Sequence, residues 1–426
     1  MFTDNHAPNS TRMYTQLSLI IITFILVTLM TGSPLDTDAP ALASIFRLAG
    51  YLFTAGVTAF ALAPVLTDLR KSLPAFFHAY RITLLPALAL YFTGLIIGAL
   101  RGPDPAYALQ QTVSDAVVFA FALAVFGWLS QDLNARVKTL LKITALITLF
   151  VLIPAFIVYL GNLQGWWAIN VYNHPIEHGQ HRMLMNGPFN HSNHFAYFLM
   201  MGSLAAASLA TMSKKAFDWT WWAVAGVLAA GVAVTFGRGA MLGTAAGIIA
   251  ILFVRYKRLA WLLLTPSVAV ITLLTLGGMG AISLPAFIPK VGFAGRTTLW
   301  SGAVEKIIEY RFMGVGAGQA RGWNGWSMHN FFLEQLGEGG VLTLAGVLLW
   351  LILPVVRIRT SRLEPRLAWC IAGMMLGLMV HGIFWDQFLN GLRILTLVYV
   401  CLWTALGTQR REDGAISPVD AQLPAS

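Results

Sequence analysis

The chain has 426 residues, of which 57% are hydrophobic and only 11% charged. Soluble domains carry about 25% charged residues, so a water-soluble globule is excluded: too few charges are present to cover its surface. The formal charge of +10 would suit a nucleic-acid binder, but the placement of the charges along the chain gives it a different origin.

A helix that crosses a bilayer needs about 20 apolar residues. Read with that window, the sequence predicts an all-α polytopic membrane protein of about twelve transmembrane helices. The spans fall near 14–31, 45–67, 82–100, 113–129, 140–160, 194–211, 219–236, 239–254, 259–277, 332–356, 367–384 and 391–408. The mean hydropathy of +0.69 agrees, as do the 39 Gly and 14 Trp, which serve close helix approach and interface anchoring. The run beginning near Tyr14 has no small-residue cleavage site after it and reads as a retained first span. Two joints are tight, Gly237-Arg238-Gly239 and Trp385 to Asn390. Residues 1–408 read as one membrane domain, and the polar tail at 409–426 as a disordered cytoplasmic segment. Cys370 and Cys401 both lie in apolar runs and read as small core residues.

The connections at 68–81, 130–142, 212–218, 255–258 and 357–366, together with Arg12, Arg410 and Arg411, hold 18 of the 28 basic residues. With an even span count all of them share one side. The positive-inside rule makes that side the cytoplasm, with both termini on it. This side carries 8 acidic residues, and the opposite side 10 basic and 10 acidic, so the net charge is a topology signal and no nucleic-acid partner is implied.

Two outer connections are long, about 161–193 and 278–331. Long loops in a compact protein build sites when they are ordered, and these are rich in Trp, His, Arg, Asn and Gly. The first holds His174, Glu177, His178, His181, Arg182, Asn186, Asn190 and His191, and leads to Asn193 and His194. No HExxH motif or cysteine ligand accompanies these histidines. They read as the polar lining of a water-filled cavity rather than a metal site, with Arg182 within reach of an anion.

Arg238 follows, between two spans with almost no loop. A charge at that depth must pair or face water, and its flanking glycines suit a tight turn and close ligand approach. The competing reading is an arginine snorkelling at a helix end. Arg296 opens a stretch in which Thr297 or Thr298 would cap an amphipathic helix over Leu299 to Tyr310. Leu299, Val304, Ile307 and Ile308 fall on one side of it, and Glu305, Lys306 and Glu309 on another. This predicts an interfacial helix on the outer leaflet, with Arg296 in an anion site at its start. The alternative is a loop arginine in a surface ion pair.

His329 stands where the long loop enters the tenth predicted span. An imidazole can take a proton from a sugar hydroxyl near pH 7; the plainer reading is an interfacial residue at a helix start. Glu334 and Glu338 follow one turn apart, where carboxylates stabilise a helix N-terminus. Glu334 could also orient His329 or pair with an arginine.

The order of these segments is Asn190-His191-Ser192-Asn193-His194-Phe195-Ala196, Phe236-Gly237-Arg238-Gly239-Ala240, Gly295-Arg296-Thr297-Thr298-Leu299-Trp300, Gly314-Val315-Gly316-Ala317-Gly318 and His329-Asn330-Phe331-Phe332-Leu333-Glu334. It resembles the O-antigen ligase family of bacterial envelope enzymes, whose wider superfamily includes O-antigen polymerases and protein O-oligosaccharyltransferases. The likeness is strongest over about 185–350, and Gly237 stands where the family often has serine.

The resemblance implies transfer of a glycan from undecaprenyl diphosphate to a sugar hydroxyl of the lipid A–core oligosaccharide. The reaction would take place at the periplasmic face of the bacterial inner membrane, without cofactor or metal. It implies that Arg238 and Arg296 hold the diphosphate and that His329 acts at the acceptor hydroxyl. Read from the residues themselves, Arg182 joins the diphosphate site, and Asn330, Glu334, Asn193 and His194 support it. The competing readings are a polymerase, a protein-glycosylating transferase and, outside enzymes, a lipid or solute transporter. A transporter would place ionisable groups at span centres, where this sequence has few.

Overall fold

The computed structural model describes residues 84–129, 132–166, 172–175, 181–187, 192–214, 218–278, 296–320, 323, 328–384, 402–403 and 405–406. The predicted spans near 14–31 and 45–67, most of that near 391–408, the joint at 385–390 and the tail at 409–426 lie outside the described residues.

The chain is an α-helical membrane protein. Its described helices are α1 (Leu84–Arg101), α2 (Pro105–Leu129), α3 (Leu133–Leu163), α4 (Ser192–Met212), α5 (Trp219–Val234), α6 (Arg238–Arg255), α7 (Lys257–Gly278), α8 (Arg296–Glu309), α9 (Phe331–Val356) and α10 (Pro365–Ile383). Six of them, α1, α3, α4, α6, α9 and α10, are long and apolar enough to cross a membrane. Every predicted span from the third to the eleventh coincides with a helix. In lipid each backbone amide must be satisfied within its own segment, so an apolar run of this length has no alternative to a helix. Hydroxyls inside the spans follow the same rule: Thr144, Thr148, Ser208 and Thr244 each donate to the carbonyl four residues back.

One departure from an all-helical reading is a short hairpin in the first long connection. Strand β1 (Tyr172–Pro175) pairs antiparallel with β2 (His181–Leu184), His174 opposite Arg182. A loop of this length needs partners for its own amides, and a two-stranded ladder supplies them locally.

Packing is set by small residues. α4 is the central helix, with 94% of its apolar window buried; its Gly, Ala and Ser residues let neighbours close on it from all sides. Ser203 Oγ donates to the Ala225 carbonyl across the α4–α5 interface at 2.9 Å. α6 and α10 run antiparallel with Gly243 against Gly377 and Gly247 against Gly373, so neither pair has room for a Cβ. α1 and α9 meet through Gly94, Gly98, Gly339 and Gly346 in the same manner. α9 is broken at Gly340 (φ 68, ψ −163). There the 312–318 segment runs alongside it: Val341 N donates to Phe312 O, Val315 N to Gly337 O and Gly316 N to Glu338 O.

The two ends of the bundle differ in chemistry. At one end Lys138 at the start of α3 pairs with Glu364 beside α10 at 2.7 Å. Arg255 closes α6 there by donating to the Thr211 and Ser213 carbonyls at the end of α4. Trp219, Trp261 and Trp369 lie exposed near the starts of α5, α7 and α10 at this same end, as an aromatic belt at a bilayer interface would. The candidate site is at the opposite end.

Candidate functional site

The turn into α6 is built from Thr235 to Gly237. Thr235 closes α5, Gly237 caps α6, and Phe236 between them carries the left-handed backbone (φ 55). The glycines therefore act differently from the sequence expectation: they create space, and the unusual turn geometry falls on Phe236. A Cβ on Gly237 would stand 2.7 Å from Ala196 Cβ, and one on Gly239 2.9 Å from Phe384 Cβ. These contacts press the first turn of α6 between the start of α4 and the end of α10. Arg238 begins α6 with its side chain exposed. Among the described residues no hydrogen bond or ion pair engages its guanidinium.

Arg296 is the first described residue of α8, half-buried, with its guanidinium carbon 6.0 Å from the centre of the Phe384 ring. Because Arg296 is already helical, Thr297 and Thr298 lie within the helix and neither stands at the cap position, contrary to the sequence expectation. The amphipathic stripe also splits. Ala303 and Ile307 are buried, whereas Val304 and Ile308 are exposed at 42% and 56%. Positions 303/307 and 304/308 sit about 100° apart around a helix, so only one pair faces the protein. Ala303 of that inward pair belongs to a small separate core with Val315, Ala320 and Met328, against which Tyr310 and Trp323 pack, stacked at 5.8 Å. On the solvent side Lys306 and Glu309 pair at 2.7 Å, and the Glu309 hydrogen bond raises the lysine's pKa. An exposed pair of this kind adds little stability.

α8 ends without glycine: Phe312 N donates to Ile307 O and Arg311 N to Ile308 O, with both Arg311 and Phe312 at positive φ. The chain then turns through Gly314, Gly316 and Gly318, all at positive φ. Glu338 secures this loop, its Oε1 accepting from Gly318 N at 2.8 Å. Glu338 is thus a loop anchor and not a helix-end carboxylate. Glu334 is fully buried and acts electrostatically, with Asp115 and Glu338, on the Tyr91 hydroxyl of α1. The cap of α9 is Asn330, whose Oδ1 accepts from Leu333 N at 3.0 Å.

His329 is half-buried in the left-handed region at φ 49. That conformation costs a non-glycine residue about 1–3 kcal/mol and persists only where neighbours enforce it. They do so on both sides. Trp300 Nε1 of α8 donates to Met328 O at 3.0 Å just before it, and the Asn330 cap follows just after. The His329 backbone is therefore held between α8 and α9.

These segments meet at one end of the bundle. Arg296 rests on Phe384, Phe384 abuts Gly239, and a Cβ on Gly382 would lie 3.5 Å from Phe331, two residues from His329. Asn193 and His194 in the first turn of α4 join them, with Asn193 Oδ1 reaching the Gly237 turn. β2 leads into the same end through Gly187, whose backbone lies against the Phe195 ring. Arg182 is placed only by its backbone register in β2. Glu177, His178, Asn190 and His191 lie outside the described residues.

The sequence reading missed His381. It lies near the end of α10, stacked on Tyr197 of α4 with ring centres 5.2 Å apart and planes at 13°, and it feels the charges of Arg296 and His194. An ionisable residue inside a span was the available signal. No model of a known protein family matches the chain, and no curated protein matches it.

Proposed function

We propose that the protein is an O-antigen ligase. It transfers a glycan from undecaprenyl diphosphate to a sugar hydroxyl of the lipid A–core oligosaccharide, at the periplasmic face of a bacterial inner membrane. In this reading about twelve spans cross the membrane, both termini are cytoplasmic, and the reaction inverts the anomeric carbon without a metal. The observation that supports it is the gathering of Arg238, Arg296 and His329 at the bundle end opposite the Arg255 and Lys138 end.

The chemistry suits those groups. Charge develops on a diphosphate leaving group, and two guanidinium groups stabilise it through paired hydrogen bonds. The attacking hydroxyl is a poor nucleophile until His329 removes its proton. The donor's polyprenyl chain lies in the bilayer and enters between helices.

The test is transfer by the full-length protein in detergent, from purified lipid-linked glycan to lipid A–core, with and without chelator. His329→Ala should lower turnover by about 10²- to 10⁴-fold while the protein still inserts. Wild-type turnover in that variant would remove His329 from the mechanism. Transfer only to a second lipid-linked glycan would make the protein a polymerase. Labelling of Ser301→Cys by a membrane-impermeant reagent places α8 outside the cytoplasm; labelling only after permeabilisation overturns the orientation.

A further inference from the structure

The N-terminus of α6 has no side-chain cap. Gly237 stands at the cap position and contributes none, and its own amide is used elsewhere, donating to Thr235 Oγ1 at 3.2 Å. The amides of a helix's first turn carry partial positive charge and suit an anion. A helix end alone does not make a binding site, but here a buried side chain is aimed at it. His381 is 5% exposed, and the Gly239 backbone of that same first turn acts on its ring without a hydrogen bond of good geometry to either ring nitrogen among the described residues. Its Nδ1 lies 3.2 Å from the place a Cβ of Gly239 would occupy. The missing side chain at Gly239 thus opens the imidazole onto the first turn of α6. Stacking on Tyr197 fixes the plane of the ring, and the Arg296 charge is close enough to act on it.

A buried imidazole without a good partner is destabilising, and an incoming acceptor relieves it. An imidazole carries an N–H in either protonation state. The protein spends stability on a donor held beside open helix amides and an arginine.

We propose that His381 is a phosphate-binding residue, its ring N–H donating to an oxygen held at the first turn of α6 beside Arg296. The ligand is the diphosphate headgroup of a polyprenyl lipid, and in this the assignment rests on the ligase reading above. His381 supplies a directional contact from inside the bundle, and the exposed Arg238 approaches from its surface. The three groups come from α10, α8 and α6, so a bound diphosphate ties together helix ends that are far apart in sequence.

The experiment measures binding of farnesyl diphosphate to the full-length protein in detergent, with farnesol as the control and inorganic pyrophosphate in parallel. His381→Phe keeps a ring for Tyr197 to stack on and removes the N–H. It should weaken farnesyl diphosphate binding by about tenfold and leave farnesol unchanged. His381→Gln retains a donor and should bind within about threefold of wild type. Should the Phe variant fail to fold, His381→Gln against His381→Leu makes the same comparison. Equal His381 dependence for pyrophosphate assigns the site to the phosphates alone; dependence with the farnesyl compound only assigns it to a lipid headgroup. Wild-type diphosphate binding by the Phe variant overturns the assignment, as does absence of binding by the wild-type protein. The two proposals separate cleanly. His381-dependent binding without glycan transfer sinks the ligase reading and keeps the site. Transfer by His381→Phe with unchanged kcat and donor KM sinks the site and keeps the ligase.

Discussion

The α1–α9 pair and the α6–α10 pair are built alike and finished differently. Each is an antiparallel helix contact closed by facing glycines, Gly94 and Gly339 in one and Gly243 and Gly377 in the other. In the first pair several polar groups are engaged by neighbouring segments. Tyr91 donates to Asp115 at 3.0 Å, Thr343 donates to the Tyr91 carbonyl, and Glu338 accepts from Gly318 N. In the second pair Arg238 is exposed and His381 is buried, and among the described residues neither side chain makes a hydrogen bond of good geometry. Close packing alone therefore does not distinguish scaffold from site. What sets the second pair apart is that its buried His381 faces a helix N-terminus without a side-chain cap, beside an exposed arginine; a buried polar atom without a bond, Gln335 Oε1, occurs in the first pair as well.

The largest effect that would sharpen this contrast is at Arg238. Arg238→Lys keeps the charge and loses the planar fork that grips two phosphate oxygens. Glycan transfer should fall by about 10²-fold with the melting temperature unchanged; wild-type turnover would reduce Arg238 to a generic positive charge. Next comes the scaffold. A methyl on Gly98 would run into the Glu338 carbonyl and lie 2.8 Å from Gly316 N. Gly98→Ala should cost about 1–3 kcal/mol in detergent unfolding, while diphosphate affinity of the folded fraction stays at the wild-type value. A selective loss of diphosphate binding there would show that the two pairs are not separable. The smallest effect is at Thr343, whose Oγ1 bonds the Tyr91 carbonyl at 3.0 Å. Thr343→Val keeps the shape and should cost about 0.6 kcal/mol. A cost several times larger, read from the same unfolding curve, would mean that the Tyr91 and Asp115 group depends on that hydroxyl and is more than scaffold.

Much of the helix layout was legible from hydropathy, since an apolar run of about 20 residues in lipid has one way to satisfy its backbone. The joint at Gly237 and the order of the polar motifs were legible too, being local in sequence. Other features were not. The sequence shows that α8 is amphipathic, but it does not say that Ala303 and Ile307 rather than Val304 and Ile308 face inward. The period is local, but its phase is set by neighbouring helices. Glu338 looks like a helix-end carboxylate until the glycine loop is seen lying against it. Gly237 and Gly239 look like turn residues until Ala196 and Phe384 are seen occupying the space where their side chains would be.

By itself, then, the sequence determined that this is a membrane protein of apolar helices, with a basic end and an arginine- and histidine-bearing end. Those properties follow from transfer of each segment between water and lipid, which each segment undergoes largely alone. Only the tertiary structure decided that His381, more than fifty residues after His329, stands over the first turn of α6. It also decided that His329 is pinned in a left-handed turn by Trp300. Both depend on contacts between helices, where shape and the placement of a missing Cβ matter more than the polarity of any one stretch.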